Sequence, residues 1–84
     1  MNEKTFRTLI EAGAVKKVFI VADGATIYVE ALSGTKTLSA KTTKGKLKTW
    51  RSVDAAAKWV RNLGVGQAQL DISKWQPGQR GLLL

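Results

Sequence analysis

The side chains best suited to chemistry in this sequence are the lysines and arginines of its middle third, which have tryptophans among them. Residues 36–61 hold eight basic side chains and a single acidic one, Asp54, so this stretch carries a charge of +7. The remaining 58 residues hold six bases and five acids. Ammonium and guanidinium groups bind phosphates, and indole rings stack on unpaired bases. The pattern is typical of a surface that binds a polyanion, but it is equally typical of a solvated face.

The candidate nucleic-acid contacts are seven of the eight bases of this stretch, together with two residues nearer the C-terminus. For contact with phosphates we select Lys41, Lys44, Lys46, Lys48, Arg51, Lys58 and Arg61, with Trp75 and Arg80 as additional contacts. Trp50 and Trp59 are predicted to pack at the edge of the core, and Tyr28 is predicted to lie against the sheet.

Catalysis is not expected, because the residues that usually support it are missing. The chain has no cysteine and no histidine, which excludes disulfide frameworks, zinc fingers and nucleophiles activated by a histidine base. The six carboxylates form no pair at a spacing that suggests acid–base catalysis, and no glycine-rich phosphate loop is present. We therefore predict no catalytic residues, no cofactor and no metal site.

The apolar segments are too short for a membrane protein. The longest apolar run is the five-residue stretch 18–22, whereas a spanning helix needs about 20 apolar residues. The N-terminus lacks the apolar stretch of a signal peptide. The expected location is the cytoplasm.

The periodicity of apolar residues predicts one small α+β domain over residues 1–72, with an irregular tail over 73–84. The predicted order is α-β-β-β-α-β, with a mainly antiparallel sheet and both helices on one face. Asn2 caps a helix over about 3–12, and Ser52 caps a second that ends before Gly64. Strands are expected over 15–21, 26–32, 36–43 and 65–72, with an extended segment over 46–50.

Two modes of nucleic-acid recognition remain open on this fold. The sheet could present its lysines on the face without helices or at its edge, and three strands could then enter a major groove. The element order also matches that of the double-stranded-RNA-binding domain. That domain grips phosphates with a basic start to its second helix, where this chain has Asp54 and three alanines.

Several segments together resemble a known family. They are residues 9–18 (LIEAGAVKKV), 44–45 (KG), 51–56 (RSVDAA), 59–65 (WVRNLGV) and 71–78, which ends in WQPG. In these segments the chain resembles the small ParC-like, partition-associated proteins of plasmids and other mobile elements. In that family an aromatic residue usually follows the basic residue after the glycine of the KG segment. In this chain the aromatic residue lies further along, at Trp50. The resemblance implies a bacterial mobile-element setting and a role in plasmid maintenance, and it brings no catalytic residues.

These observations lead to two functional expectations. The first is a non-enzymatic basic module that binds DNA, in preference to RNA, or a nucleoprotein complex. The alternative is a protein-interaction module, either a homodimer or a partner-binding domain, without nucleic-acid contact. The predicted last strand and the apolar 82–84 end favour this alternative, because exposed strand edges pair readily with other chains.

Overall fold

The computed structural model describes residues 2–76, which form two helices and a four-stranded sheet in the predicted order α-β-β-β-α-β. The helices are α1 (Glu3–Glu11) and α2 (Val53–Asn62); the strands are β1 (Lys17–Gly24), β2 (Thr26–Ser33), β3 (Lys36–Ser39) and β4 (Gln69–Trp75). The α+β class is confirmed. Neither helix in these 75 residues is long and apolar enough to cross a membrane.

Both helices begin at the residues predicted to cap them, and α2 ends before Gly64 as expected. The Asn2 side chain accepts a hydrogen bond from the Thr5 N–H at 3.0 Å, and the Ser52 hydroxyl accepts one from the Ala55 N–H at 3.2 Å. Each bond satisfies one of the free N–H groups in a first helical turn. Gly64 follows α2 with φ +97°, a conformation that favours glycine. Local chemistry therefore determines the helix ends.

The strand order across the sheet is β3-β2-β1-β4. Strands β1, β2 and β3 are successive antiparallel neighbours, whereas β4 lies parallel to β1. A parallel pair needs a crossover connection, which α2 supplies between β3 and β4. The sheet is thus mainly antiparallel, with its two edges formed by the short β3 and the later β4.

The core lies between one face of the sheet and the two helices. Alternate residues of β1 and β2 point into it, among them Ile27, Val29 and Ala31, which share one face of β2 by strand alternation. Both helices contribute to the same cluster, which consists of Phe6, Val18, Ile20, Ala22, Ile27, Val29, Ala31, Ala40, Ala56, Val60 and Leu63. Both helices therefore cover the same face of the sheet, as expected.

The third and last strands differ from their predicted bounds. Strand β3 ends at Ser39 instead of residue 43, since the chain leaves the sheet after Ala40. Strand β4 begins at Gln69 instead of 65 and runs to Trp75, inside the segment predicted to be an irregular tail. Its pairing with β1, which continues to Gly24, determines this extent. Residues 77–84 lie outside the described part of the chain.

Strand β4 is also far more exposed than predicted. Apolar and polar residues alternate within 65–72, a pattern typical of a strand with one buried side, but all seven residues of β4 are exposed. The reason is that α2 packs over β1 and β2 and leaves β4 uncovered.

Candidate nucleic-acid interface

Four of the predicted phosphate contacts lie on a small hairpin at the β3 edge of the sheet, residues 40–48, which we call the lysine hairpin. The Lys48 N–H donates to the Ala40 carbonyl at 3.0 Å, and the Thr42 N–H donates to the Lys46 carbonyl at 2.7 Å. Lys41 and Leu47 form a β-bridge between these bonds. The predicted extended segment over 46–50 is the returning arm of this hairpin.

The turn of the lysine hairpin is stabilised by local hydrogen bonds. The Gly45 N–H donates to the Thr42 carbonyl at 2.9 Å, and Gly45 has φ +83°. The Thr42 hydroxyl accepts from the N–H groups of Lys44 and Lys46, at 3.3 and 3.2 Å. A threonine at the start of a turn commonly makes such bonds. They hold the two lysines close together at the tip.

The four lysines of the hairpin are not equivalent. The side chains of Lys41, Lys44 and Lys46 are exposed, whereas that of Lys48 is partly buried. The Lys48 ammonium lies 5.4 Å from the ring centroid of Trp50 and 6.0 Å from that of Trp59. These distances suit a cation–π contact, so Lys48 also attaches the hairpin to the helix layer.

An aromatic cluster supports the base of the hairpin. The ring centroids of Trp50 and Trp59 lie 5.1 Å apart, and that of Phe6 lies 5.5 Å from that of Trp59. The Trp59 indole N–H donates to a Glu3 carboxylate oxygen at 3.1 Å. Trp50 exchanges two backbone hydrogen bonds with Ile27, of 3.2 and 2.8 Å. The prediction that both tryptophans pack at the edge of the core is confirmed.

The other predicted phosphate contacts follow the hairpin along the chain. Arg51 is exposed just before α2, and Lys58 and Arg61 are exposed on α2. The Lys58 ammonium lies 3.3 Å from the Asp54 carboxylate, one helical turn earlier. Such a solvent-exposed pair is weak and can exchange for a phosphate at small cost.

Two further bases, which the sequence reasoning did not select, lie beside the hairpin. Lys4 and Arg7 of α1 line an open groove of about 420 Å³ together with Thr43. Arg7 also lies 3.5 Å from Glu3 and donates to the Asn62 carbonyl at 3.4 Å. Their i, i+3 spacing on a helix was the available signal, but only the tertiary structure shows that the hairpin lies next to this face.

Trp75 is separated from this group of bases. It is 41% exposed and ends β4, at the opposite edge of the sheet from the lysine hairpin. Trp75, which was selected as an additional contact, therefore lies apart from the surface formed by the lysine hairpin. Arg80 lies outside the described residues.

The face of the sheet without helices is mixed in charge, because the strand register puts Lys74 there beside Asp23. Burial and the carboxylates of Glu30, Asp23 and Asp71 raise the pKa of the Tyr28 hydroxyl above its ordinary value. These three acids lie near one another on this open face. The exposed lysines are therefore presented at the β3 edge of the sheet, the second location considered above, and not as a basic face.

The acids and bases are thus unevenly distributed over the molecule. The two helices, the lysine hairpin and Arg51 together hold nine bases and three acids, a net charge of +6. Two of those acids, Glu3 and Asp54, already lie against basic side chains. The arrangement can attract and hold a polyanion on the helix side of the sheet.

No family model, curated protein or solved structure matches this chain. The resemblance to partition-associated proteins therefore remains a prediction from the sequence.

Proposed function

We propose that this chain is a non-enzymatic module that binds DNA through its phosphates, using the lysine hairpin and the neighbouring bases of the helix layer. The observation that carries the proposal is the exposure of Lys41, Lys44 and Lys46 on one short hairpin. None of the ion pairs formed within residues 2–76 involves these three lysines. Their ammonium groups are available to replace the counterions of a phosphate backbone.

The structure of the hairpin also supports this use. Its turn is fixed by the Thr42 hydrogen bonds, and its base is held by Trp50 and Trp59. The backbone therefore positions the lysines before any ligand binds, which lowers the entropy lost on binding. A two-stranded ribbon also fits a major groove about 12 Å wide.

Binding through lysine ammonium groups has a consequence for specificity. Contacts to phosphates orient a protein on the duplex but carry no base information. We expect DNA of different sequences to bind with similar affinity, and duplex DNA to bind better than RNA.

The expected setting is the bacterial cytoplasm, on a plasmid or other mobile element, where the target is DNA or a nucleoprotein complex.

Charge reversal tests the proposal. The variant Lys41→Glu, Lys44→Glu, Lys46→Glu should lose at least about 100-fold in affinity for a labelled DNA duplex, measured by fluorescence anisotropy at low salt. The matched control is Lys16→Glu, Lys17→Glu, Lys36→Glu, which makes the same change in net charge at three exposed lysines outside the hairpin.

The control separates a local contact from a general effect of charge. We expect the control variant to bind DNA with an affinity much closer to that of the unmodified chain than the hairpin variant does. Equal losses in both variants would show that only net charge matters. Undiminished binding by a folded hairpin variant would overturn the proposal, and circular dichroism verifies the fold of each.

A further inference from the structure

The two edges of the sheet differ in how well they are protected from pairing with another chain. Strand β3 has only four residues, and the lysine hairpin follows it directly. Strand β4 has seven residues and lacks a neighbouring strand on its outer side within residues 2–76. Short, charged edge strands resist pairing, whereas longer unprotected ones accept a further strand. Strand β4 is therefore the edge open to a partner.

The side of β4 that faces the helix layer is apolar. Leu70 is 46% exposed and Ile72 is 49% exposed. Leu70 lies beside the buried Ile20 of β1, so it continues the inner face of the sheet past the last covered strand. Trp75, opposite Gly24, belongs to the same side. Removing such an apolar row from water stabilises the complex with a partner.

A β-bulge arranges the charges of the same strand. In the register with β1, Asp71 lies beside Val21 and Lys74 lies beside Asp23, so β4 has one extra residue between them. Val21 and Asp23 point to the same face because they are two residues apart. The bulge therefore puts Asp71 and Lys74 on one face, three residues apart, where strict alternation would separate them.

We infer that β4 pairs antiparallel with β4 of a second copy of this chain, with Asp71 of each copy opposite Lys74 of the other. The same register sets Leu70 opposite Trp75 on the helix side. The strand is thus complementary to itself in both charge and apolar character. A register with its two-fold axis at Asp71 would place Asp71 opposite its own copy, and an axis at Lys74 would do the same for Lys74. Both registers put like charges opposite each other, which is destabilising.

The resulting assembly is a continuous sheet of eight strands, twice the four seen in one chain. A two-fold axis normal to the sheet relates antiparallel edge strands, so both helix layers lie on the same side. The lysine hairpins lie at the two outer edges, away from the interface. The inference is independent of DNA binding, since it uses no residue of the lysine hairpin.

The first measurement is the mass of the unmodified chain by sedimentation equilibrium, without nucleic acid. A dimer mass at micromolar to submillimolar concentration is expected. A monomer mass throughout this range would overturn the inference.

The register is tested with two single variants, Asp71→Lys and Lys74→Asp. Each places like charges opposite one another in its own dimer, so self-association should weaken at least about tenfold. Mixing the two variants restores opposite charges at every contact, and a heterodimer should form with near-native affinity. Both positions are exposed. Asp71→Lys also removes two local hydrogen bonds that the carboxylate accepts from the Ser73 N–H and hydroxyl, at 3.0 and 2.7 Å, but no contact with the core, so the monomer fold should be retained.

The mixing experiment separates pairing from a merely structural effect of the substitutions. A variant that is damaged in its own fold gains nothing from a partner that carries the opposite change. Single variants that dimerise as well as the unmodified chain, or a mixture that stays monomeric, would overturn the proposed register. The variants should bind DNA as monomers through the intact hairpin, which keeps this outcome distinct from the test of DNA binding.

Discussion

At the scale of single residues, Tyr28 reports on the charge of the open face of the sheet. Its burial and three nearby carboxylates oppose ionisation of the phenol and raise its pKa above the ordinary 10.0. It is the chain's single tyrosine, so its titration is unambiguous.

We expect phenolate absorbance in the folded chain to appear with a midpoint above pH 10. In denaturant, the midpoint should return to the ordinary value. The fold favours the protonated phenol. At pH values below the pKa that Tyr28 has in the unfolded chain, its titration therefore does not change the free energy of unfolding. Stability then falls as the pH rises through the folded pKa. The Tyr28→Phe variant should show no such absorbance change. A folded midpoint at or below the unfolded one would contradict the prediction.

Trp59 is a second residue whose role can be measured. It contacts Phe6 and Trp50 and donates to Glu3, so it joins the two helices to the base of the hairpin. Trp59→Phe should lower the free energy of unfolding by about 1–2 kcal/mol, through the lost hydrogen bond and the smaller ring. Urea denaturation gives this value.

Glu3→Gln is the companion variant for Trp59, because it keeps an oxygen acceptor and removes the exposed pair with Arg7. Its effect should stay within about 0.5 kcal/mol. If Trp59→Phe were as mild as Glu3→Gln, the tryptophan would not have the structural role assigned to it.

At the scale of elements, the lysine hairpin depends on the backbone of its turn. Gly45 has φ +83°, and a Cβ there would meet no atom within 4 Å. Gly45→Ala should therefore cost about 1 kcal/mol of stability through backbone strain alone.

Gly66 is the matched control for the hairpin turn, because it has equal open space and no positive φ. Gly66→Ala should be neutral or slightly stabilising, since it restricts the unfolded chain. Thermal unfolding compares the two variants, and equal effects would mean that the turn conformation of Gly45 is not required.

At the scale of the whole molecule, the distribution of charge predicts a steep salt dependence of DNA binding. Five exposed bases that were selected from the sequence form no ion pair within residues 2–76: Lys41, Lys44, Lys46, Arg51 and Arg61. If all five contact phosphates, the logarithm of the affinity should fall with the logarithm of salt concentration at a slope of about −4.5.

Replacing the three exposed hairpin lysines with alanine should reduce that slope by nearly three. Anisotropy titrations between about 50 and 200 mM salt measure both slopes. A slope near zero in the unmodified chain would exclude phosphate contact as the source of binding.

Much of the fold could be predicted from the sequence because it depends on neighbours along the chain. Asn2 and Ser52 cap helices through bonds to groups three residues away, and alternation in 26–32 identifies the inner face. The excess of basic residues over 36–61 could also be read from the sequence. The predicted contacts with phosphate themselves await the binding experiments.

The sequence by itself determined the class of the domain, its helix ends, its inner face and the segment that carries the excess charge. Only the tertiary structure decided that the third strand gives way to a hairpin, that Lys4 and Arg7 lie beside it, and that Trp75 lies at the opposite edge. It also decided that β4 is uncovered on both faces. The physical reason is range: caps and turns form between near neighbours, whereas strand partners and the extent of helix cover depend on contacts between residues far apart in the chain.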